Sequence, residues 1–230
     1  MLEITNVHVY DLRESIIACR NAMRINPPEY TEEEFEKSLE RAKKLVKASK
    51  NDDTVKCHDN FMTGIRVSFD LKYTQYITKQ FQRYHWFDYV SSSSLMHRLT
   101  RMSADKSCNK YVSKTCVEQL DKDIAEYNEV AKMESYPGEG NPLVFELRDG
   151  TTLVANTKAE ALYYSYMRCI SDCPMGIELF VHVSTNYKQL QTMYYQRYGH
   201  KLKEDWGEFC KFVENLPYGN ELILGKEYDN

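Results

Sequence analysis

The sequence has no long apolar run, no basic tail and no lysine-rich block. Without the first there is no candidate for a membrane-spanning helix. Without the other two, and with a formal net charge of −4, the chain lacks the cations that general nucleic-acid binding needs to neutralise many phosphates. No N-terminal signal segment is recognisable. The seven cysteines, Cys19, Cys57, Cys108, Cys116, Cys169, Cys173 and Cys210, are odd in number and scattered, which argues against a disulfide framework and for reduced thiols in a cytoplasmic protein. Cys169 and Cys173 stand four apart, but no second pair completes a zinc set, and they read as structural thiols near a helix end. Of the six histidines, His58, His85, His97, His182 and His200 show no metal-ligand spacing. Compact enzyme signatures are missing as well: there is no Gly-x-Ser-x-Gly elbow, phosphate loop, Gly-x-Gly-x-x-Gly turn or His-Glu-x-x-His helix. No internal repeat is found.

What is present suits a globular domain. The 230 residues are 42% apolar and 28% charged, enough to bury a core in one large domain or two small ones. The 18 tyrosines are unusual; each joins an apolar ring to a hydroxyl, which suits interfaces and aromatic-walled sites. Glu3 to Tyr10 reads as a short strand with Ile4, Val7 and Val9 in the core, and Asp11 to Met23 as a helix ended by Pro27-Pro28. Thr31 to Ser49 is the clearest helix, with Thr31 and Glu34 in a capping-box pattern. Gly64 to Tyr73 alternates strictly, as a half-buried strand does. Thr74 is placed to cap a helix carrying Ile77, Phe81 and Tyr84. Cys108 to Met133 reads as a long helix, Ser135 to Pro142 as the strongest break, and Leu143 to Ala155 as a hairpin turning at Asp149-Gly150. A tyrosine-rich helix over Thr157 to Ile170, a strand over Ile177 to Val183, a helix capped by Thr185 or Asn186, and a last helix over Glu204 to Asn215 follow. The mixed order predicts an α+β domain spanning 1–230, with 27–50 and 135–156 as insertions.

One stretch stands out from this frame. Gln80 to Arg98 mixes arginines, histidines and aromatics with the run Ser91-Ser92-Ser93-Ser94. A helix runs into it and the serines read as a loop. Cations at both ends of a hydroxyl-rich loop suit an anion, most simply phosphate. A solvated loop after a helix end accounts for the same composition.

The C-terminal third adds a more specific pattern. Cys173-Pro174 leads into an apolar strand, then Asn186-Tyr187-Lys188-Gln189-Leu190, then Arg197 eleven residues after the asparagine, then Trp206. Upstream, His58-Asp59-Asn60 leads into an alternating strand, Gln80-x-x-Arg83-Tyr84-His85 closes a helix, and His97-Arg98 follows the serines. In order and spacing this set resembles the flavin-dependent thymidylate synthases. It departs from them in places: Lys188 stands where the family has arginine, Arg83-Tyr84-His85 where it has Arg-His-Arg, serines where it has Asn-Glu, and Thr63 where it has a glutamate.

The resemblance implies an α/β domain assembled as a homotetramer that binds FAD and dUMP, takes hydride from NADPH and takes carbon from methylenetetrahydrofolate. By position, Gln80, Arg83, Ser94, Arg98, Arg168 and Arg197 would meet the nucleotide, with Arg83 and Arg98 on its phosphate. Arg197 would act catalytically, as a fixed cation against the pyrimidine. His58, Asn60, Arg83, His85, Asn186, Lys188 and Thr192 would form the flavin side. Two functions therefore stand open: flavin-dependent methylation of dUMP or a related pyrimidine nucleotide, and nucleotide binding on the same fold without flavin chemistry.

Overall fold

The computed structural model describes residues 2–51, 58–136 and 142–226. Cys57, with most of the polar segment before His58, and residues 137–141 of the Ser135–Pro142 break therefore lie outside the described residues. The elements are strands β1 (Glu3–Tyr10), β2 (Arg66–Thr74), β3 (Asp88–Ser92), β4 (Leu143–Glu146), β5 (Thr152–Ala155) and β6 (Glu178–Asn186). The helices are α1 (Leu12–Ala18), α2 (Glu32–Asn51), α3 (Thr78–Phe81), α4 (Leu95–Arg98), α5 (Ala104–Ser107), α6 (Lys114–Lys132), α7 (Lys158–Ser171), α8 (Tyr187–Arg197) and α9 (Lys203–Glu214). The chain is α+β, with a four-stranded sheet in the order β1-β2-β6-β3 and a separate β4–β5 hairpin.

Two compact units divide the chain. The first comprises Met1–Tyr73, Ile77–Ser92 and Phe180–Asn230; the second comprises Thr74–Tyr76 and Ser93–Leu179. In the first, the alternation of β2 buries Val67, Phe69 and Leu71 completely, and β6 does the same with Val181 and Val183. Helices α8 and α9 pack together and bury Leu190, Met193, Trp206, Phe209 and Val213. An aromatic cluster ties the short α3 to α9: Phe81 stacks on Phe87 at 5.1 Å and meets Trp206 at 5.0 Å. Such ring pairs contribute about 0.5–1.5 kcal/mol each beyond the area they bury.

In the second unit, α6 and α7 pack against each other around Leu120, Ile124, Cys169 and Ile177. A smaller core of Val130, Phe145, Ala155 and Ala161 seats the hairpin. Its turn uses Gly150 at φ 85, a left-handed conformation that glycine adopts without a Cβ clash. Thr157 caps α7 with a full capping box to Glu160.

Several expectations are corrected. β1 forms, but it is an edge strand with a bulge between Thr5 and His8; Val7 is 40% exposed, and Ile4 and Val9 are half-buried rather than core residues. The helix after Thr74 is broken into a 3₁₀ turn over Gln75–Ile77 and the four-residue α3, with Ile77 rather than Thr74 at the helix N-cap. Ser91 and Ser92 lie in β3, paired with β6, so only Ser93 and Ser94 are loop. The long helix begins at Lys114 rather than Cys108, because Ser113 supplies the cap. Thr31 accepts from the Glu34 amide at 3.3 Å, but the Glu34 carboxylate turns to Arg20 and Arg24, so only half of that capping box forms.

A π-type turn over Gly219–Ile223, not foreseen in the sequence, closes the first unit and buries Leu222 and Ile223. A Cβ at Gly219 would collide with the Val213 carbonyl oxygen, which is backbone and has little room to yield. Gly219→Ala is expected to destabilise the protein by roughly 2–3 kcal/mol, an overpacking penalty that calorimetry would register as a drop in Tm of about 4–12 °C.

Candidate functional site

In the first unit, α8 and the turn after α3 face each other across an open cleft of about 400 Å³, lined by Arg83, Tyr84, His85, Gln189, Thr192, Gln196 and Arg197. Local sequence explains both walls. Asn186 ends β6 in extended conformation, and its side chain accepts from the Gln189 amide at 2.8 Å, so it serves as the N-cap that starts α8. From there Gln189, Thr192 and Gln196 recur at helical spacing along the cleft, while Leu190, Met193 and Tyr194 turn inward. The opposite wall is stitched on by two bonds: the Trp86 amide donates to Gln189 Oε1 at 3.2 Å, and Thr185 Oγ1 donates to the Trp86 carbonyl at 2.6 Å.

Arg197 occupies the last turn of α8, where a cation suits the helix dipole. Its Nε donates to Tyr84 Oη at 2.6 Å. The guanidinium lies 4.6 Å from the centroid of the Trp206 ring and 5.4 Å from that of Tyr84. Trp206 is itself held by its Nε1, which donates to Gln80 Oε1 at 3.0 Å. Arg83 is exposed on the cleft. Among the described residues neither Arg83 nor Arg197 has a carboxylate partner, and no acidic residue lines the cleft. Burial pushes the Tyr84 phenol above its ordinary value, with Arg197 and Arg83 pulling the other way. His200, reached by the turn after α8, has its pKa lowered by burial and then by Arg197 and Lys201; its Nδ1 accepts from the Leu202 amide at 3.1 Å.

The structure thus brings Arg83, His85, Thr192 and Arg197 together, four of the residues singled out in the sequence. Gln80 stands one step behind, through Trp206. Two more of the first unit are engaged by the fold itself: Asn186 caps α8, and Lys188 Nζ pairs with Asp59 Oδ2 at 2.6 Å and reaches Gln191 Oε1 at 3.1 Å. His58 and Asn60 are exposed. Ser94, Arg98 and Arg168 belong to the second unit. There Ser94 caps α4 by accepting from the His97 amide at 3.4 Å, and Arg98, in the same helix, is half-buried. Arg168 bonds the Glu146 carbonyl, approaches Glu126 at 3.7 Å and covers the Phe145 ring.

Tyr84, Gln189 and Gln196 are lining residues that the sequence reading passed over. Helical spacing back from Arg197 would have found the two glutamines. The Tyr84 contact joins residues 113 positions apart, and no local pattern announces it.

Chemically, the cleft offers two cations, one of them held, with amide groups and hydroxyls and no acidic residue among its described lining. It is suited to an anion carrying polar edges. Among the described residues no helix is long and apolar enough to cross a membrane.

No family model matches the sequence, and no curated protein is similar to it. Solved structures are similar in fold. Thymidylate synthase X from Helicobacter pylori, crystallised with FAD and dUMP, aligns with a TM-score of 0.60 over 97% of each chain at 12% identity. A second structure of the flavin-dependent thymidylate synthase from Helicobacter pylori, complexed with FAD and dUMP, gives a TM-score of 0.53 over 96% of this chain and 97% of that one, at 16% identity. The chain shares the fold of these enzymes over nearly its whole length.

Proposed function

We propose that the cleft between α8 and the Arg83–His85 turn binds a pyrimidine nucleotide of the dUMP type, and that the chain methylates it to dTMP with FAD, NADPH and methylenetetrahydrofolate. The observation that carries the nucleotide reading is the pair Arg83 and Arg197 on one acid-free cleft. Two unpaired guanidiniums facing one cleft repel each other and remain hydrated unless an anion arrives, so the arrangement favours a phosphate-bearing ligand. Arg83, at the exposed side, takes the phosphate. Arg197, held by the Tyr84 hydroxyl and close to the Trp206 ring, meets the pyrimidine, where a fixed cation favours a ring that gathers negative charge. Gln189, Thr192 and Gln196 supply neutral donors and acceptors for the polar edges. Ser94, Arg98 and Arg168 enter this reading through the resemblance alone, as does assembly into a homotetramer, which native mass spectrometry would test.

The residues fit FAD in part. Arg83, His85 and Thr192 line the cleft and suit an anionic dinucleotide, whereas Asn186 and Lys188 already have partners in the fold. FAD, when bound, would accept hydride from NADPH and, as the reduced flavin, would supply it to the reaction. The engagement of Asn186 and Lys188 favours the second reading, a nucleotide-binding protein of this fold without flavin chemistry.

Purification and calorimetry separate the two. Yellow protein with flavin near one equivalent per chain, dUMP affinity and dUMP-dependent NADPH oxidation are expected. Colourless protein that takes up no FAD but binds dUMP would establish the second reading. Protein that binds neither would overturn both.

A further inference from the structure

We propose that Tyr84 is a positioning residue that presets Arg197 for its ligand. This rests on reading the cleft as a nucleotide site and assigns a role to a side chain outside that reading. α8 ends at Arg197: Tyr198 leaves the helix at ψ 127 and Gly199 follows at φ 70. The backbone therefore gives the end of this long side chain little restraint. An arginine side chain carries much rotamer freedom, and a ligand that must freeze it binds correspondingly more weakly. Three contacts remove that freedom beforehand. The guanidinium lies 4.6 Å from the Trp206 ring centroid and 5.4 Å from that of Tyr84, and the Tyr84 hydroxyl accepts the Nε proton at 2.6 Å.

The choice of acceptor matters. A carboxylate at that place would neutralise the guanidinium and compete with an anionic ligand. A phenol fixes the same N–H while remaining uncharged, because burial makes it harder to ionise. Arg197 therefore keeps its full charge, and its two Nη groups, which bond no described residue, stay available to the cleft. Tyr84 also sits between Arg83 and His85, so the same turn that brings Arg83 to the cleft sets the orientation of Arg197. In the family pattern this position is histidine, and the tyrosine thus becomes a feature of this chain rather than a lost signature.

The test is a double-mutant cycle read by dUMP calorimetry, together with the NMR signal of the Arg197 side chain in ligand-free protein. Tyr84→Phe keeps the ring and removes only the acceptor; it is expected to raise the Kd for dUMP about tenfold, as for loss of one charge-assisted bond. Arg197→Gln is expected to raise it about a hundredfold, as for loss of a charged hydrogen-bonding group. The double variant should bind no more weakly than Arg197→Gln alone, since Tyr84 acts through Arg197. Effects that multiply, or a Tyr84→Phe protein that binds like wild type, overturn the proposal. The NMR arm needs no ligand. The Arg197 Nε–H, assigned by its loss in Arg197→Gln, should be protected from solvent exchange in wild type and become fast-exchanging in Tyr84→Phe. A fast-exchanging Nε–H in the wild-type protein overturns the proposal even if Tyr84→Phe does not fold. A protected one that tracks Tyr84 upholds it even if dUMP proves not to be the ligand.

Discussion

Arg197→Gln is expected to weaken the binding of dUMP and of deoxyuridine alike, whereas Arg83→Gln weakens dUMP and spares deoxyuridine. The two arginines line one cleft but stand in different surroundings. Arg83 is exposed, so its charge is screened by salt and its contacts compete with water. A loss of about tenfold, toward the weak end for a charged hydrogen bond, is expected there, and it should shrink as ionic strength rises. Arg197 is half-buried and flanked by Tyr84 and Trp206, so its interactions are less screened, and a loss of about a hundredfold is expected. Calorimetry with the two ligands at low and high salt reads both claims. If Arg83→Gln weakens deoxyuridine as much as dUMP, the phosphate assignment is wrong. If Arg197→Gln changes neither, the cleft is not the nucleotide site. Both substitutions remove a charge that has no carboxylate partner among the described residues, so neither strands a buried acid. The fold should tolerate them, and binding is the cleaner readout.

The legible parts of the sequence were those where one face is buried and the other wet. β2 could be read because Val67, Phe69 and Leu71 alternate with Arg66, Ser68, Asp70 and Lys72, and the buried set is fully enclosed. The stripe of α8 was readable for the same reason, and the sequence narrows its cap to Thr185 or Asn186, of which Asn186 takes the place. β1 misled because Val7 and Val9 stand two apart, as core residues of a strand do, while the strand lies at the sheet edge and Val7 is 40% exposed; sequence alternation reports a pleat, not whether anything covers it. β3 was invisible because it is the other edge strand and exposes most of its residues, so Ser91 and Ser92 carry no periodicity. The run from Thr74 to Tyr84 looked like one helix because Ile77, Phe81 and Tyr84 fall at helical spacing. Those residues do share the core, but the chain reaches it through a 3₁₀ turn and a single turn of α3. At the site, Arg83 and Arg197 were found as types of residue in a pattern. Tyr84 was not, because its role exists only once α8 is folded against the turn. Lys188 was found for a reason the structure does not support on its own: the resemblance sends it to the flavin, whereas here it pairs with Asp59.

That pairing gives the largest expected effect on stability. Lys188→Met is expected to destabilise the protein by about 3 kcal/mol, in the range for breaking a buried ion pair from one side, and to lower Tm by roughly 6–12 °C. The asymmetry of the pair decides the size. Asp59 is 1% exposed and Lys188 35%. Without Lys188 the carboxylate is left enclosed, and its other oxygen has no hydrogen-bond partner among the described residues to offset the charge. In Asp59→Asn it is the lysine that loses its partner, and a one-third exposed ammonium can turn toward water and keep its bond to Gln191. That variant is expected to lose only about 1 kcal/mol, the scale of a surface pair. Combining the two should recover part of the Lys188→Met loss, because the stranded charge is gone. Thermal unfolding of the FAD-free proteins measures all three. The comparison also bears on function. If Lys188 serves the flavin rather than the fold, Lys188→Met leaves the Tm of the FAD-free protein in place and lowers FAD uptake instead. A Lys188→Met protein as stable as wild type, or an Asp59→Asn protein less stable than Lys188→Met, would refute the structural role. A drop confined to stability would mean that α8 is tied down by the lysine that occupies the family's arginine position.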